Sequence, residues 1–159
     1  DDYGISPLTA FMHGGEQEFG FRAGTLAVHN IVGFGKAAEI AIRDLQTTQK
    51  KILELDRYLV RNLLKLDGVR LTNPSKNRIP GLVSIIIDVP FFHNERFIRT
   101  ISDKLAISTG SACSAGQPSY VISAMGLGDM VNKVLRVTIN KYTTKEELDF
   151  LVKIIKDNV

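Results

Sequence analysis

A long run of apolar residues at helical spacing constrains the fold of this chain more than any other feature. The apolar positions recur mostly at steps of three, four or seven, which is the period of one face of an α-helix. The pattern predicts one long helix that opens at Thr25 and ends at Asp67-Gly68, where glycine suits a helix C-terminus. The apolar positions are Val28, Ile31, Val32, Ala38, Ile42, Leu45, Ile52, Leu55, Leu59, Leu63 and Leu66.

After this helix the sequence has the patterns of short strands. Strands are predicted at Val69–Thr72, at Leu82–Val89 and around Ile107, and the second of these is apolar and rich in β-branched residues. Val134–Asn140 alternates apolar and polar residues, which is typical of a strand with one face in the core and one in a polar setting.

Shorter helices separate these strands. Asn94 can cap a helix, and Pro118 suits the first position of another. Thr143 or Thr144 can form a capping box with the glutamate three residues later, which would start the last helix. The fold class is therefore α+β (or α/β), with a small mixed or antiparallel sheet, helices on one face and a long helix in front.

The composition limits the classes of partner. The 159 residues carry a net charge of +3, with 20 basic and 17 acidic residues scattered along the chain, so nucleic-acid binding has little support. No apolar run approaches the roughly 18 residues of a membrane span. The single cysteine makes neither an internal disulfide nor a multi-cysteine metal site, and no metal-ligand spacing is found. A reducing cytoplasm is the expected location.

Cys113 is the first candidate for chemistry. It lies in Ser108–Gly116, a segment of small and polar residues in which a core cysteine would be out of place. A helix begins a few residues later, and a nearby helix N-terminus favours the nucleophilic thiolate. The residues alone leave a reactive thiol and an inert loop cysteine both open.

Arg136 is the second candidate. It stands on the polar face of a predicted strand. Its ordinary role would be an exposed ion pair. Its alternative role is bidentate binding of a carboxylate or phosphate, for which the planar guanidinium group is well suited.

The third candidate is the glycine-rich loop His13–Thr25, which runs into the long helix. Thr25 and the amides beside it, including that of Gly24, can bind an anion at the helix N-terminus. A plain connector remains the alternative.

Together these residues resemble cysteine desulfurases of the NifS/IscS type, which are pyridoxal-phosphate (PLP) enzymes of the class-V aminotransferase family. Gly14–Thr25 is similar to the family's GG-x-QE-x-G-x-R-[SA]-GT block. Ser108–Cys113 resembles the active-site cysteine loop. Leu135–Thr138, followed by Thr143–Glu147, is similar to the arginine strand and the cap of the last helix.

The resemblance implies a role for each candidate. Cys113 would take the sulfur of L-cysteine as a persulfide, leave L-alanine and pass the sulfur to an acceptor. Arg136 would hold the substrate carboxylate. Gly24 and Thr25 would bind the cofactor, and Thr25 would contact the phosphate of the PLP that is bound in the other subunit of a homodimer. The acceptor would be a protein such as an iron–sulfur scaffold or a tRNA-thiolation protein.

The resemblance also predicts the organisation of the chain as the C-terminal part of a fold-type-I PLP enzyme. Residues 1–42 would end the PLP-binding large domain and start the linking helix, and residues 43–159 would form the small domain. The family's cofactor lysine has no counterpart here, so the isolated chain is expected to be inactive. The loop after Cys113 is about two residues shorter than in IscS-type members. Surface loops tolerate such changes in length, so the subgroup within the family stays open.

Two other functions stay open at this point. The chain could be a non-catalytic module that relays a persulfide on Cys113 or binds a partner. It could also belong to a related transaminase or lyase, including selenocysteine lyase, in which Cys113 has another role.

Overall fold

The computed structural model describes residues 9–75, 77–110 and 119–158. The predictions for Cys113 and Pro118 therefore lie outside the described residues. The chain divides into two compact units, the first ending at Leu45 and the second beginning at Gln46.

The first unit contains the glycine-rich loop and the start of the long helix. Helix α1 runs from Val28 to Leu63 over 36 residues and continues into the second unit. It begins three residues after Thr25, so the predicted opening at Thr25 is wrong. The reason is local: Gly24 has a φ of 98°, and Val28 donates its N–H to Leu26 O, which makes a tight turn before the helix.

No described residue of the first unit is buried. Several large apolar side chains in it are exposed to 50% or more of their surface, among them Phe11, Phe19, Val28, Val32, Phe34 and Ile42.

The second unit is built on a small antiparallel sheet. Its strands β1 (Val69–Leu71), β2 (Leu82–Ile87) and β3 (Val134–Thr138) pair in the order β1-β2-β3. Around the sheet lie α2 (Asn94–Ile101), α3 (Tyr120–Ala124), the 3-10 helix Gly128–Lys133 and α4 (Lys145–Asp157).

The core of this unit lies against one face of the sheet. Alternate residues of β2 and β3, such as Ile85 and Leu135, are fully buried. They pack with apolar residues of α1, α2 and α4, which completes a helix-on-sheet layer. The predicted α+β class and antiparallel sheet are thus confirmed. The helical members of the core are Leu55, Leu59, Leu63, Phe97, Ile101, Leu148, Leu151, Ile154 and Ile155.

The strand predicted around Ile107 is not formed. Its neighbour Ser108 makes only an isolated bridge to Arg136. The pairing stops there because the Ser108 hydroxyl accepts a hydrogen bond from Gly110 N at 3.2 Å, which turns the backbone away from the sheet.

Asn94 does not cap α2 as predicted. His93 holds the N-cap position, without a side-chain cap, and Asn94 is the first helical residue. The Asn94 side chain is buried instead, and its amide nitrogen donates to Val131 O at 3.0 Å and to Val134 O at 2.9 Å. A buried amide of this kind satisfies two backbone carbonyls that lead into β3.

The last helix starts as its sequence predicts. Thr144, rather than Thr143, is the cap: its Oγ1 accepts from Glu147 N at 3.3 Å, and its N–H donates to Glu147 Oε2 at 2.9 Å. Thr143 Oγ1 accepts from Asn140 N and so closes the preceding turn.

A buried ion pair joins α1 to the start of β2. Asp56, almost fully buried, accepts hydrogen bonds from both terminal nitrogens of Arg78 and from Gly81 N. Gly81 lies so close to the helix that a Cβ atom would stand 2.6 Å from Ile52 Cγ2, and its φ is 85°. Only glycine fits at this contact without a shift of backbone or helix.

In the ranges that the structure describes, no helix combines the length and the apolar character that crossing a bilayer requires.

Candidate functional site

The structure places Arg136 in the middle of β3, between two neighbouring segments of chain. On one side β2 pairs with it through Ser84. On the other side Arg136 N donates to Ser108 O at 2.6 Å, and Ser108 N donates back to Arg136 O at 3.2 Å. This bridge fixes the first residue of the cysteine loop against the strand that carries the arginine.

The side chain of Arg136 reaches the same loop. It is partly buried, and its Nη2 donates to Gly110 O at 3.1 Å and to Ser108 Oγ at 3.5 Å. The Ser108 hydroxyl itself donates to Gly110 O at 2.8 Å. Arg136, Ser108 and Gly110 therefore form one hydrogen-bonded cluster at the start of the loop.

The Arg136 guanidinium has no acidic partner among the described residues. The ion pairs there are Lys36–Glu39, Arg43–Asp44, Arg78–Asp56 and Lys133–Asp88. Within these ranges, the side chain is therefore held by hydrogen bonds and not by the surface ion pair that is ordinary for such an arginine. Its Nε and Nη1 groups make no hydrogen bond within the described part of the chain, and N–H groups of this kind suit an anionic ligand such as a carboxylate.

The cysteine loop rejoins the described structure at Ser119. The Ser119 hydroxyl accepts from Ile122 N at 3.4 Å and caps α3. Cys113 lies between Gly110 and Ser119, outside the described residues, and its role stays a prediction.

The glycine-rich loop is held around Gly24 by two side chains. Gln17 Oε1 accepts from Gly24 N at 3.1 Å, and Arg22 Nη1 donates to Gly24 O at 3.2 Å. A Cβ atom on Gly15 would overlap Gln17 Oε1, so the glycine leaves room for that side chain in its present position. The Gly24 amide is therefore already hydrogen-bonded within the loop.

Thr25 stands differently. It is exposed, and neither its N–H nor its hydroxyl bonds to another described residue. The first turn of α1 follows it, but there Val28 N donates to Leu26 O and Asn30 N donates to Ala27 O. The donors that Thr25 itself offers are its N–H and its hydroxyl. These donors suit the oxygens of an anion such as a phosphate.

Ser108 and Gln17 are the residues to which sequence reasoning gave no role of their own. For Ser108 a signal exists, because a serine two residues before a glycine is typical of a turn closed by the hydroxyl group. For Gln17 the contact spans seven residues, and no local pattern indicates it.

A family model for class-V aminotransferases matches residues 11–151. Among curated proteins, the cysteine desulfurase IscS of Aeromonas hydrophila subsp. hydrophila is 35% identical over 155 residues. The cysteine desulfurase IscS of Methylococcus capsulatus (strain Bath) is 37% identical over 155 residues. Each match covers 96% of this chain but 38% of the relative, so the chain spans well under half of the length of these proteins.

Solved structures have the same fold. A NifS-like protein is 29% identical with a TM-score of 0.80, and the match covers 98% of this chain and 40% of that one. A NifS-like protein from Rickettsia africae ESF-5 has a TM-score of 0.81 at 23% identity, with 96% and 40% covered. At that identity the second likeness concerns the fold alone.

Proposed function

Since this chain belongs to the aminotransferase class-V family, we propose that it is part of a PLP-dependent cysteine desulfurase. The reaction would convert L-cysteine to L-alanine and leave a persulfide on Cys113. One observation carries the proposal: Arg136, without an acidic partner among the described residues, is hydrogen-bonded to the start of the loop that contains Cys113.

Arg136 would bind the carboxylate of L-cysteine. The Nη2 contacts to Gly110 and Ser108 hold one end of the guanidinium, and its remaining N–H groups would donate to the carboxylate oxygens. A charge-assisted contact of this kind orients an amino acid as well as binding it.

Cys113 would act as the nucleophile. Cys113 would lie near the arginine proposed to bind the substrate, because three residues of chain reach at most about 11 Å from Gly110. Its thiolate sulfur would bond to the sulfur of L-cysteine while the carbon–sulfur bond of the substrate breaks. The carbon gains a proton to give L-alanine, and the extra sulfur atom remains on Cys113.

Residues of the first unit fit one end of the cofactor. The N–H and hydroxyl of Thr25, which bond to no other described residue, would donate to the phosphate of PLP, next to the Gly24 turn. When bound, PLP supplies an electron sink for bonds to the amino-acid carbons. The lysine that holds PLP would come from a stretch outside this chain.

The proposal extends to the organisation of the protein. Residues 1–42 would complete the PLP-binding domain, and residues 43–159 would form the small domain that carries the loop. The absence of buried side chains among the described residues up to Leu45 supports this division, because a domain buries its apolar residues against its own core.

A homodimer, a cytoplasmic location and a protein acceptor, such as an iron–sulfur scaffold or a tRNA-thiolation protein, belong to the same proposal.

The full-length gene product that contains this chain provides the test. Loaded with PLP and given L-cysteine and a thiol reductant, it should release alanine and sulfide in equal amounts. Cys113→Ser should abolish both products while the protein still binds PLP. If the Cys113→Ser protein forms alanine and sulfide as fast as the parent, the cysteine has another role and the desulfurase proposal fails.

A further inference from the structure

The Ser108 hydroxyl makes three contacts at the start of the cysteine loop. It donates to Gly110 O at 2.8 Å, accepts from Gly110 N at 3.2 Å, and lies 3.5 Å from Arg136 Nη2. A hydroxyl has one donor and two acceptor positions, so these contacts use its whole capacity. Replacing the hydroxyl by a methyl group would remove the partner of Gly110 N and would leave Gly110 O and Arg136 Nη2 only the hydrogen bond that they make to each other.

These contacts also decide where the arginine side chain points. An arginine side chain has many rotamers, and ordering it costs conformational free energy. Here Nη2 is held by the Ser108 hydroxyl and by the Gly110 carbonyl that the same hydroxyl orients. Without an acidic partner in the described ranges, no other side chain there fixes this end of the guanidinium.

We propose that Ser108 is a positioning residue, whose hydroxyl orders Arg136 and the Gly110 carbonyl before the substrate carboxylate arrives. The inference rests on the proposed function, in which Arg136 binds that carboxylate. Preordering a binding group increases affinity, because the ligand no longer has to order the side chain as it binds. Ser108 would therefore act on substrate binding and leave the sulfur-transfer step to other groups.

A matched pair of variants isolates the hydroxyl. Ser108→Thr and Ser108→Val have side chains of the same branched shape, and only the first retains the hydroxyl. In the full-length PLP-loaded protein, Ser108→Val should raise the KM for L-cysteine about threefold to tenfold, the range of one or two weak hydrogen bonds, with kcat within about twofold of the parent. Ser108→Thr should keep both constants near the parent values, and Ser108→Ala provides a second hydroxyl-free variant.

A double-mutant cycle shows whether the effect passes through the arginine. In an Arg136→Lys background, Ser108→Val should raise KM no further, since the group that it positions is gone. Ser102→Ala is the control, because the Ser102 hydroxyl also donates to a backbone carbonyl, that of Arg99, but at the exposed end of α2. Equal KM values for the Thr and Val variants, or a full additional rise in the Arg136→Lys background, would overturn the inference.

Binding of L-alanine separates this inference from the proposed function. L-Alanine has the carboxylate but no sulfur, and its Kd for the PLP-loaded protein is measurable by calorimetry whether or not sulfide is ever formed. If sulfide is absent but Ser108→Val weakens L-alanine binding about threefold to tenfold and Ser108→Thr does not, the positioning role stands and the desulfurase proposal falls. If sulfide is formed and the two variants bind L-alanine equally, the desulfurase proposal stands and the positioning role of Ser108 falls.

Discussion

Among the described residues, the guanidinium of Arg136 is held from one side, by a backbone carbonyl and a hydroxyl, and by no carboxylate. At the scale of single residues this is the main feature of the site. The alternation along β3 predicts that Arg136 lies on the polar face, but it does not predict what occupies that face. The contact to the cysteine loop depends on the turn at Ser108 and Gly110, which only the folded chain shows.

Replacing Arg136 by lysine tests the role of the guanidinium. Lysine keeps the positive charge but has neither the planar group nor its paired N–H donors. We expect kcat/KM for L-cysteine to fall about ten- to a hundredfold, the range of a lost hydrogen bond to a charged group, mostly through KM. Steady-state kinetics of the full-length protein measure this directly.

Arg99→Lys is the matched control for that substitution. Arg99 is an exposed arginine in the last turn of α2, so its replacement should leave kcat/KM within about twofold. Equal effects of the two substitutions would show that Arg136 has no special contact with the substrate.

At the scale of elements, the buried Asp56 carboxylate connects α1 to the chain that enters β2. It satisfies two nitrogens of Arg78 and the N–H of Gly81. Through β2 this contact also supports β3, the strand that carries Arg136.

Asp56→Ala should therefore destabilise the second unit strongly. The Arg78 charge, with a side chain only 20% exposed, would lose its partner, and breaking such a pair costs about 3 kcal/mol or more. Urea denaturation of the full-length protein at fixed PLP concentration would detect the change. Glu54→Ala, at an exposed position of the same helix, should cost no more than about 0.5 kcal/mol. If Asp56→Ala lowers the free energy of unfolding as little as Glu54→Ala does, the buried Asp56–Arg78 pair does not stabilise this unit as described.

The capping box of α4 makes a smaller contribution. Thr144→Ala removes the acceptor for Glu147 N and should lower the free energy of unfolding by about 1 kcal/mol. Thr144→Ser keeps the acceptor and should cost much less in the same denaturation experiment. If the serine and alanine variants are equally unstable, the methyl group of Thr144 matters and the cap does not.

The elements that the sequence predicts well are those with a strong local signal. Helix α4 has its capping box and apolar face, and β3 has its alternation, so both are formed where expected. The failures have tertiary causes. Asn94 is predicted to cap α2 because of its residue type, but its buried side chain donates to Val131 O and Val134 O instead. Ile107 has the apolar character of a strand residue, but the turn closed by the Ser108 hydroxyl follows it and ends the pairing.

At the scale of the whole molecule, the two units differ in how much they bury. Every core residue of the main cluster belongs to the second unit, whereas no described residue of the first is buried. The curated relatives are longer, since this chain covers 38% of them. The motifs for Cys113, Arg136 and Thr25 can be read from the sequence, but the completed active site that we propose needs the full-length protein.

The most direct test of the desulfurase proposal is the mass of the peptide that contains Cys113. The full-length PLP-loaded protein would be treated with L-cysteine, alkylated without reductant, digested and analysed by mass spectrometry. The proposal predicts that the Cys113 peptide gains one sulfur atom, and that the gain disappears when L-alanine replaces L-cysteine. An unmodified Cys113 peptide in a protein that nevertheless forms alanine from L-cysteine would contradict it.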